Sequence, residues 1–159
     1  MLEIFVTNLS KYNAGELVGK WLSLPMDEEE LTAALEEIGG EEQFISDYET
    51  SLDLRIGEHE DVFALNEQAQ EFEDLEDWEQ DIVQAYLEAF GGDLQGALNK
   101  YDDCTFYPGM SLIDVAYEIV EDCYDLPEVA QRYFDYDAFA RDLGYDGYVE
   151  VSNGVICAN

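Results

Sequence analysis

Carboxylates are the side chains of this sequence that could do chemistry, and they are densest in QEFEDLEDWEQD, Gln70 to Asp81. Seven of these twelve residues are acidic and none is basic. Paired carboxylates can act as general acid and base, or they can coordinate hard cations. A catalytic pair needs a cleft and a raised pKa, so among 39 acidic residues the sequence alone selects no pair.

The histidine and cysteine content does not indicate a reactive site. His59 stands alone in GEHED, and an exposed loop position accounts for it best. Cys104, Cys123 and Cys157 lack CxxC and zinc-ligand spacing, which favours free thiols in a reducing compartment. The sequence predicts neither a nucleophile with its base nor a multi-histidine metal site.

A calcium loop is the nearest match to a known ligand motif. Residues 135–147, DYDAFARDLGYDG, place aspartates at the first and third positions. Phe139 and Ala140 then occupy positions where the loop needs a ligand and a glycine. We therefore predict no metal site, no cofactor and no enzymatic activity.

The acidic charge belongs to a folded chain rather than to a tail. The 39 acidic and 6 basic residues give a formal net charge of -33, while 47% of the residues are hydrophobic and 13% aromatic. A disordered acidic tail is poor in aromatic residues, so that class is excluded. Self-repulsion of this charge favours an elongated molecule.

The N-terminal sequence indicates a cytoplasmic protein. MLEIFVTNLS has no basic segment followed by a long apolar core, so no signal peptide is expected. No apolar run reaches about 18 residues, so no membrane span is expected. Anionic lipid surfaces and nucleic acids would repel the chain, so direct binding to either is not predicted.

Three small modules are predicted in the order α+β, all-α, α+β, with boundaries at 1–60, 61–103 and 104–159. In the first module, strands are expected at 2–8, 17–24 and 43–50, with a helix after Asp27, its predicted N-cap. In the second, helical periodicity covers about 61–101. Phe72, Leu75 and Trp78 recur there at a spacing of three, as on the buried side of a helix.

The third module contains helices and a terminal hairpin. A strand is expected at 104–108, and Ser111 is predicted to cap a helix with Asp114 in the capping-box position. Another helix follows Asp135, and Asn153–Gly154 is the predicted hairpin turn. The fold class is therefore α+β. The predicted apolar face of the first of these helices is Leu112, Val115, Ala116, Ile119, Val120 and Cys123, which could be core or dimer surface, with core favoured.

Acidic residues on the outward faces of these helices are the candidate partner-binding surface. They are Glu28, Glu29, Glu36, Glu37, Glu71, Glu73, Asp74, Glu76, Asp77, Glu79, Asp81, Asp114, Glu118, Glu121, Asp122 and Asp125. Two acids per helical turn give about one charge per 2.7 Å of helix axis. B-DNA carries about one per 1.7 Å, so DNA mimicry has a physical basis. Adaptation to high salt and simple solubility are the alternatives.

Two segments closely resemble signatures of the ArdA antirestriction family. IFVTNLSKYNAGELVGKWLSLP, residues 4–25, is similar to the N-terminal signature, and FISDYE, 44–49, to the next one. YFDYDAFARDLGYDGYVEVSNGVI, 133–156, resembles the C-terminal pattern. The family's acidic antirestriction motif corresponds to 111–125, where Cys123 and Tyr124 interrupt the acidic run.

The resemblance implies a protein carried by conjugative plasmids, transposons or phages. ArdA proteins are elongated homodimers that mimic bent B-DNA and occupy the DNA-binding groove of type I restriction-modification enzymes, at the methyltransferase core. Two other functions stay open from the residues alone. One is a carboxylate-cluster metal-binding protein or hydrolase, and the other is a generic acidic decoy for basic DNA-binding proteins.

Overall fold

The computed structural model describes residues 2–159 and has an α+β fold, as predicted. In chain order the elements are β1 (Leu2–Asn8), α1 (Leu9–Asn13), β2 (Gly19–Leu24), α2 (Glu28–Ile38), β3 (Gln43–Thr50), α3 (Val62–Glu73), α4 (Asp77–Phe90), α5 (Leu94–Leu98), a 3-10 turn (Tyr101–Asp103), β4 (Cys104–Pro108), α6 (Leu112–Cys123), α7 (Glu128–Gln131), α8 (Tyr136–Tyr145), β5 (Tyr148–Val151) and β6 (Gly154–Ala158). The predicted strands at 2–8, 43–50 and 104–108 have the observed bounds.

The chain divides into two compact units. Unit 1 is Met1–Glu76 with Gly92–Leu98, and unit 2 is Asp77–Gly91 with Asn99–Asn159. The helices of the predicted middle module therefore belong to both units, α3 and α5 to unit 1 and α4 to unit 2. The three-module order and the elongated shape stay predictions.

Unit 1 is built on an antiparallel sheet with strand order β2-β1-β3. Alternate residues of the central strand β1, Leu2, Ile4 and Val6, are buried on one face of this sheet. Helix α2 packs on the sheet through an apolar stripe that is also buried. The Asp27 side chain accepts hydrogen bonds from the backbone N–H groups of Glu29 and Glu30, at 2.9 and 3.3 Å, and so caps α2 as predicted.

Unit 2 has three layers, with helices on both faces of the sheet β4-β6-β5. Val155 of β6 packs with buried residues of α6 and α8, whereas the next residue, Ile156, packs with buried residues of α4. Successive residues of a strand point to opposite faces, so this pair contacts both helical layers. On α6, Val115 and Val120 are buried, which places the apolar face of this helix in the core of unit 2.

Two predicted details of the apolar pattern are wrong. Phe72, Leu75 and Trp78 do not form one buried helical face, because α3 ends at Glu73 and α4 begins only at Asp77. A spacing of three also drifts by about 60° per step around a helix, and Trp78 is 61% exposed. Cys123, predicted on the apolar face of α6, is exposed at the end of that helix.

The terminal hairpin turns at Ser152 and Asn153, not at the predicted Asn153–Gly154. Val151 pairs with Gly154, so the glycine already belongs to β6. A Cβ on Gly154 would clash with the carbonyl oxygen of Tyr107 on the neighbouring strand. The glycine is therefore required by the close approach of β4 rather than by the turn.

Candidate functional site

Every carboxylate among residues 2–159 reaches the surface. No Asp or Glu in this part of the chain is buried, and the buried polar residues are Thr7 and Asn8. Of the sixteen predicted partner-binding acids, all are exposed except Glu79 and Glu118, which are half-buried. The structure thus places the acids where a partner can reach them, and it does not gather them in a cleft.

Helix α2 separates its acids from its apolar stripe. Leu31, Ala34 and Ile38 are buried, and at about 100° per residue they centre on the side opposite Glu29 and Glu36. The four predicted acids of this helix, Glu28, Glu29, Glu36 and Glu37, are all exposed. The packing of α2 on the sheet therefore directs Glu29 and Glu36 outward, while Glu28 and Glu37 lie on opposite flanks of the helix.

One acid of α2 is partly neutralised. The Nζ of Lys20 donates a hydrogen bond to the Glu37 carboxylate at 2.8 Å, and both side chains are well exposed. This hydrogen bond and the charge of Lys20 lower the pKa of Glu37. Glu37 therefore stays ionised to lower pH than an ordinary glutamate, but its charge is offset by the lysine.

The acids at the end of α3 do not form a single row. Glu71 and Glu73 are exposed but lie about 160° apart around the helix axis, with Phe72 buried between them. Asp74 follows the last helical residue and accepts a hydrogen bond from the Gln70 side chain at 2.9 Å. These three predicted acids are neighbours in sequence without sharing one surface.

The predicted acids of α4 also lie on different sides of the helix. Asp77 and Asp81 are one helical turn apart on one stripe, while Glu79 lies on another side and accepts a hydrogen bond from the Tyr101 hydroxyl at 3.3 Å. Glu76 precedes the helix. Glu88 extends the stripe of Asp77 and Asp81, but its carboxylate accepts hydrogen bonds from the backbone N–H and the hydroxyl of Ser152, at 2.8 and 2.7 Å.

Helix α6 carries the densest row. Asp114, Glu118, Glu121 and Asp122 lie within about 100° of one another, and they extend over about 12 Å of helix axis. Their mean spacing along the axis is therefore about 4 Å, of the same order as the 3.4 Å spacing of phosphates along one DNA strand. Asp125 lies beyond the end of the helix. The buried residues Ala116 and Val120 lie on the opposite side of the helix from this row.

Asp114 has a structural role as well as a charge. Its carboxylate accepts hydrogen bonds from the backbone N–H and the hydroxyl of Ser111, at 2.9 and 2.7 Å, and the Ser111 hydroxyl caps the helix in return. These bonds lower the pKa of Asp114. The predicted capping box is confirmed, and the cap keeps the first charge of the α6 row ionised and fixed.

Basic residues cannot neutralise this surface, because six of them face 39 acids. Each unit holds three of the six. Ion pairs join Lys11 to Glu16, Lys20 to Glu37, Arg132 to Glu128 and Arg141 to Asp142, all of them solvent-exposed. Exposed pairs of this kind contribute little, so both units keep a strongly negative field.

Several helices carry acidic residues in the last turn, where a negative charge destabilises the helix. Glu36 and Glu37 lie in the last turn of α2, Glu73 ends α3, and Glu121 and Asp122 lie in the last turn of α6. The C-terminus of a helix is its negative end, so an acid there costs about 0.3–1 kcal/mol. None of these last turns contains a basic residue. Stability alone does not explain this arrangement.

Charge reversal at a helix C-terminus should therefore stabilise the protein. We expect Glu73→Lys to raise the free energy of unfolding relative to Glu28→Lys by at least about 1 kcal/mol, because Glu28 lies in the favourable first turn of α2. Both variants change the net charge equally, so their difference isolates the helix-end effect. Urea unfolding of the two variants measures it, and equal stabilities would contradict the assignment.

The described residues do not support metal binding, membrane spanning or a reactive thiol. Within 2–159, no group of three or more His, Cys, Asp or Glu side chains is arranged to hold a metal ion. In the same range, no helix is both long enough and apolar enough to cross a membrane. Burial raises the pKa of the free thiols Cys104 and Cys157, which makes them poor nucleophiles.

An α+β chain that holds an unneutralised carboxylate surface on capped, well-packed helices defines a class of acidic binding protein. The sequence model of the antirestriction protein (ArdA) family matches residues 4–157. This chain therefore belongs to the ArdA antirestriction family. A comparison with curated proteins finds no significant match.

Proposed function

We propose that this protein inhibits type I restriction-modification enzymes by occupying the DNA-binding groove of their methyltransferase core. Carboxylates take the place of DNA phosphates, and no bond in either partner is broken. The α6 row carries the proposal, because its mean spacing of about 4 Å between charges is of the same order as that of phosphates along a DNA strand. Family membership supports the antirestriction part of the proposal.

The proposed working form is a cytoplasmic homodimer that does not bind nucleic acid itself. Self-association must overcome the repulsion between two chains of formal charge -33. A dimer should therefore become more stable as salt screens that repulsion. Sedimentation at low and moderate salt tests this part of the proposal separately.

Competition with duplex DNA tests the central claim. A labelled duplex bound to a purified type I methyltransferase should be displaced by this protein at a fixed salt concentration. A ternary complex of enzyme, DNA and protein would contradict occupancy of the groove. A basic histone-like protein is the selectivity control, because equal affinity for it would indicate a generic decoy.

A further inference from the structure

One face of the sheet in unit 1 combines aromatic and acidic side chains. The strand register places Trp21 opposite Phe5, which in turn lies opposite Asp47, and in the next row Ser23 lies opposite Glu3, which lies opposite Glu49. Residues directly opposite each other on antiparallel strands point to the same side of the sheet. We call these residues the aromatic–acidic face: Glu3, Phe5, Trp21, Ser23, Asp47 and Glu49.

This face is the outer one. Three residues of the opposite face, Leu2, Ile4 and Leu22, are at most 3% exposed and form part of the core of unit 1. On the outer side, Trp21 is 43% exposed. The basic residue of β2, Lys20, lies on the opposite face and pairs with Glu37 of α2. The charge on the aromatic–acidic face is therefore negative.

The aromatic pair is held rigidly. The ring centroids of Phe5 and Trp21 are 5.4 Å apart with their planes inclined at 58°. The Ser23 hydroxyl donates a hydrogen bond to the Glu3 carboxylate at 2.9 Å, which orients a carboxylate diagonal to the indole. A group bound here would meet an aromatic face and fixed carboxylate oxygens together.

Imitation of phosphates does not account for an exposed tryptophan. The backbone of DNA has no equivalent of an indole, and tryptophan is enriched among the residues that contribute most to binding at protein interfaces. Arginine fits this combination better than lysine, because its planar guanidinium is weakly hydrated, stacks on aromatic rings and pairs with carboxylates. DNA-binding grooves hold such cations for their phosphate contacts.

We propose that the aromatic–acidic face binds an arginine side chain of the target protein. The guanidinium stacks on Trp21 and pairs with Glu3, with Glu49 and Asp47 adding negative potential beside it. This inference rests on the proposed function and adds to it a contact that distinguishes the protein from DNA. The distributed acids supply salt-dependent attraction, and this face supplies a local contact that depends less on salt.

Truncation of the tryptophan tests the proposal. In the competition assay, Trp21→Ala should weaken binding to the methyltransferase about tenfold, while the slope of log affinity against log salt stays unchanged. Trp78→Ala is the matched control, because Trp78 is also exposed and lies between two acids. It should change the affinity less than about twofold, since surface truncations are usually near neutral.

Two further variants keep the test decisive if Trp21→Ala does not fold. Trp21→Phe retains an aromatic ring on the sheet and should weaken binding about threefold, because phenyl attracts cations less than indole does. Glu49→Gln should reduce the magnitude of the slope of log affinity against log salt by about one, which is the contribution of one charge contact. Circular dichroism checks the fold of each variant.

Three outcomes would overturn the inference. One is an equal effect of the folded Trp21 and Trp78 variants, and another is an unchanged affinity of Trp21→Phe together with Glu49→Gln. The third is loss of self-association in the Trp21 variants, which would assign this face to a second copy of the chain. Failure of the unaltered protein to displace DNA is a separate result, and it would overturn the proposed function itself.

Discussion

Raising the salt concentration from 50 to 200 mM should weaken the complex of this protein with a type I methyltransferase by about a thousandfold or more. A groove that neutralises six to ten phosphates loses roughly this much affinity for DNA, because salt restores the counterions that binding releases. The carboxylates available for such contacts are exposed and outnumber the basic residues 39 to 6. Titrations at four salt concentrations give the slope directly.

The duplex itself is the reference for this measurement. Protein and DNA should show similar slopes on the same enzyme, because both present rows of anions to the same cationic groove. A nearly flat response for the protein, with a steep one for DNA, would indicate an interface held by apolar contacts and would contradict mimicry.

Neutralising the acids at the end of the α6 row should weaken the same complex by at least about 30-fold. The variant combines Glu118→Gln, Glu121→Gln, Asp122→Asn and Asp125→Asn. Each exposed charge contact contributes about 0.2–1 kcal/mol, so single changes remain small, whereas four contacts of about 0.5 kcal/mol together give about 2 kcal/mol, or 30-fold. Asp114 is left intact, because its carboxylate completes the capping box of α6.

A variant with the same loss of charge provides the control. Asp53, Glu58, Asp102 and Asp103 lie outside the α-helices, and their conversion to amides removes the same four charges. If net charge alone governs binding, the two variants should weaken it equally. A larger effect of the α6 variant, with unchanged circular dichroism, would locate the contact on that helix.

The repulsion between the acids of a helix is offset by the apolar residues that the same helix buries. A helix that carries like charges one turn apart is destabilised by a few tenths of a kcal/mol per pair. On α6, burial of Val115, Ala116 and Val120 against the sheet and α8 offsets this cost. The same packing fixes the positions of the charges, which a disordered acidic tail cannot do.

Most secondary structure followed from local rules in the sequence. The β-branched and aromatic content of LEIFVTN predicts β1, and the caps at Asp27 and Ser111 place the starts of α2 and α6 correctly. These features depend on neighbours within a few residues, so they can be read without a fold. The short helix α1 was missed, because five residues show no helical period and because asparagine side chains bond nearby backbone N–H groups in turns as well as at helix caps, as Asn8 does with Lys11.

The candidate site was predicted in composition but not in arrangement. Sequence spacing placed Glu79 with Asp77 and Asp81, whereas helix rotation and the Tyr101 hydroxyl set it apart. Trp78 was expected inside and is exposed, because the helix breaks before it. The positions of Glu79 and Trp78 depend on where each helix ends and on which side of the helix packs on the sheet.

The sequence by itself determined the α+β class, the excess of acids and the family, because composition, periodicity and motifs are properties of the chain. Only the tertiary structure decided which carboxylates share a row and that Trp21 and Phe5 meet carboxylates on one sheet face. The sheet contact joins residues far apart in the chain, and the carboxylate rows depend on where each helix ends. They are set by strand register and by the burial of apolar faces, which no local pattern encodes.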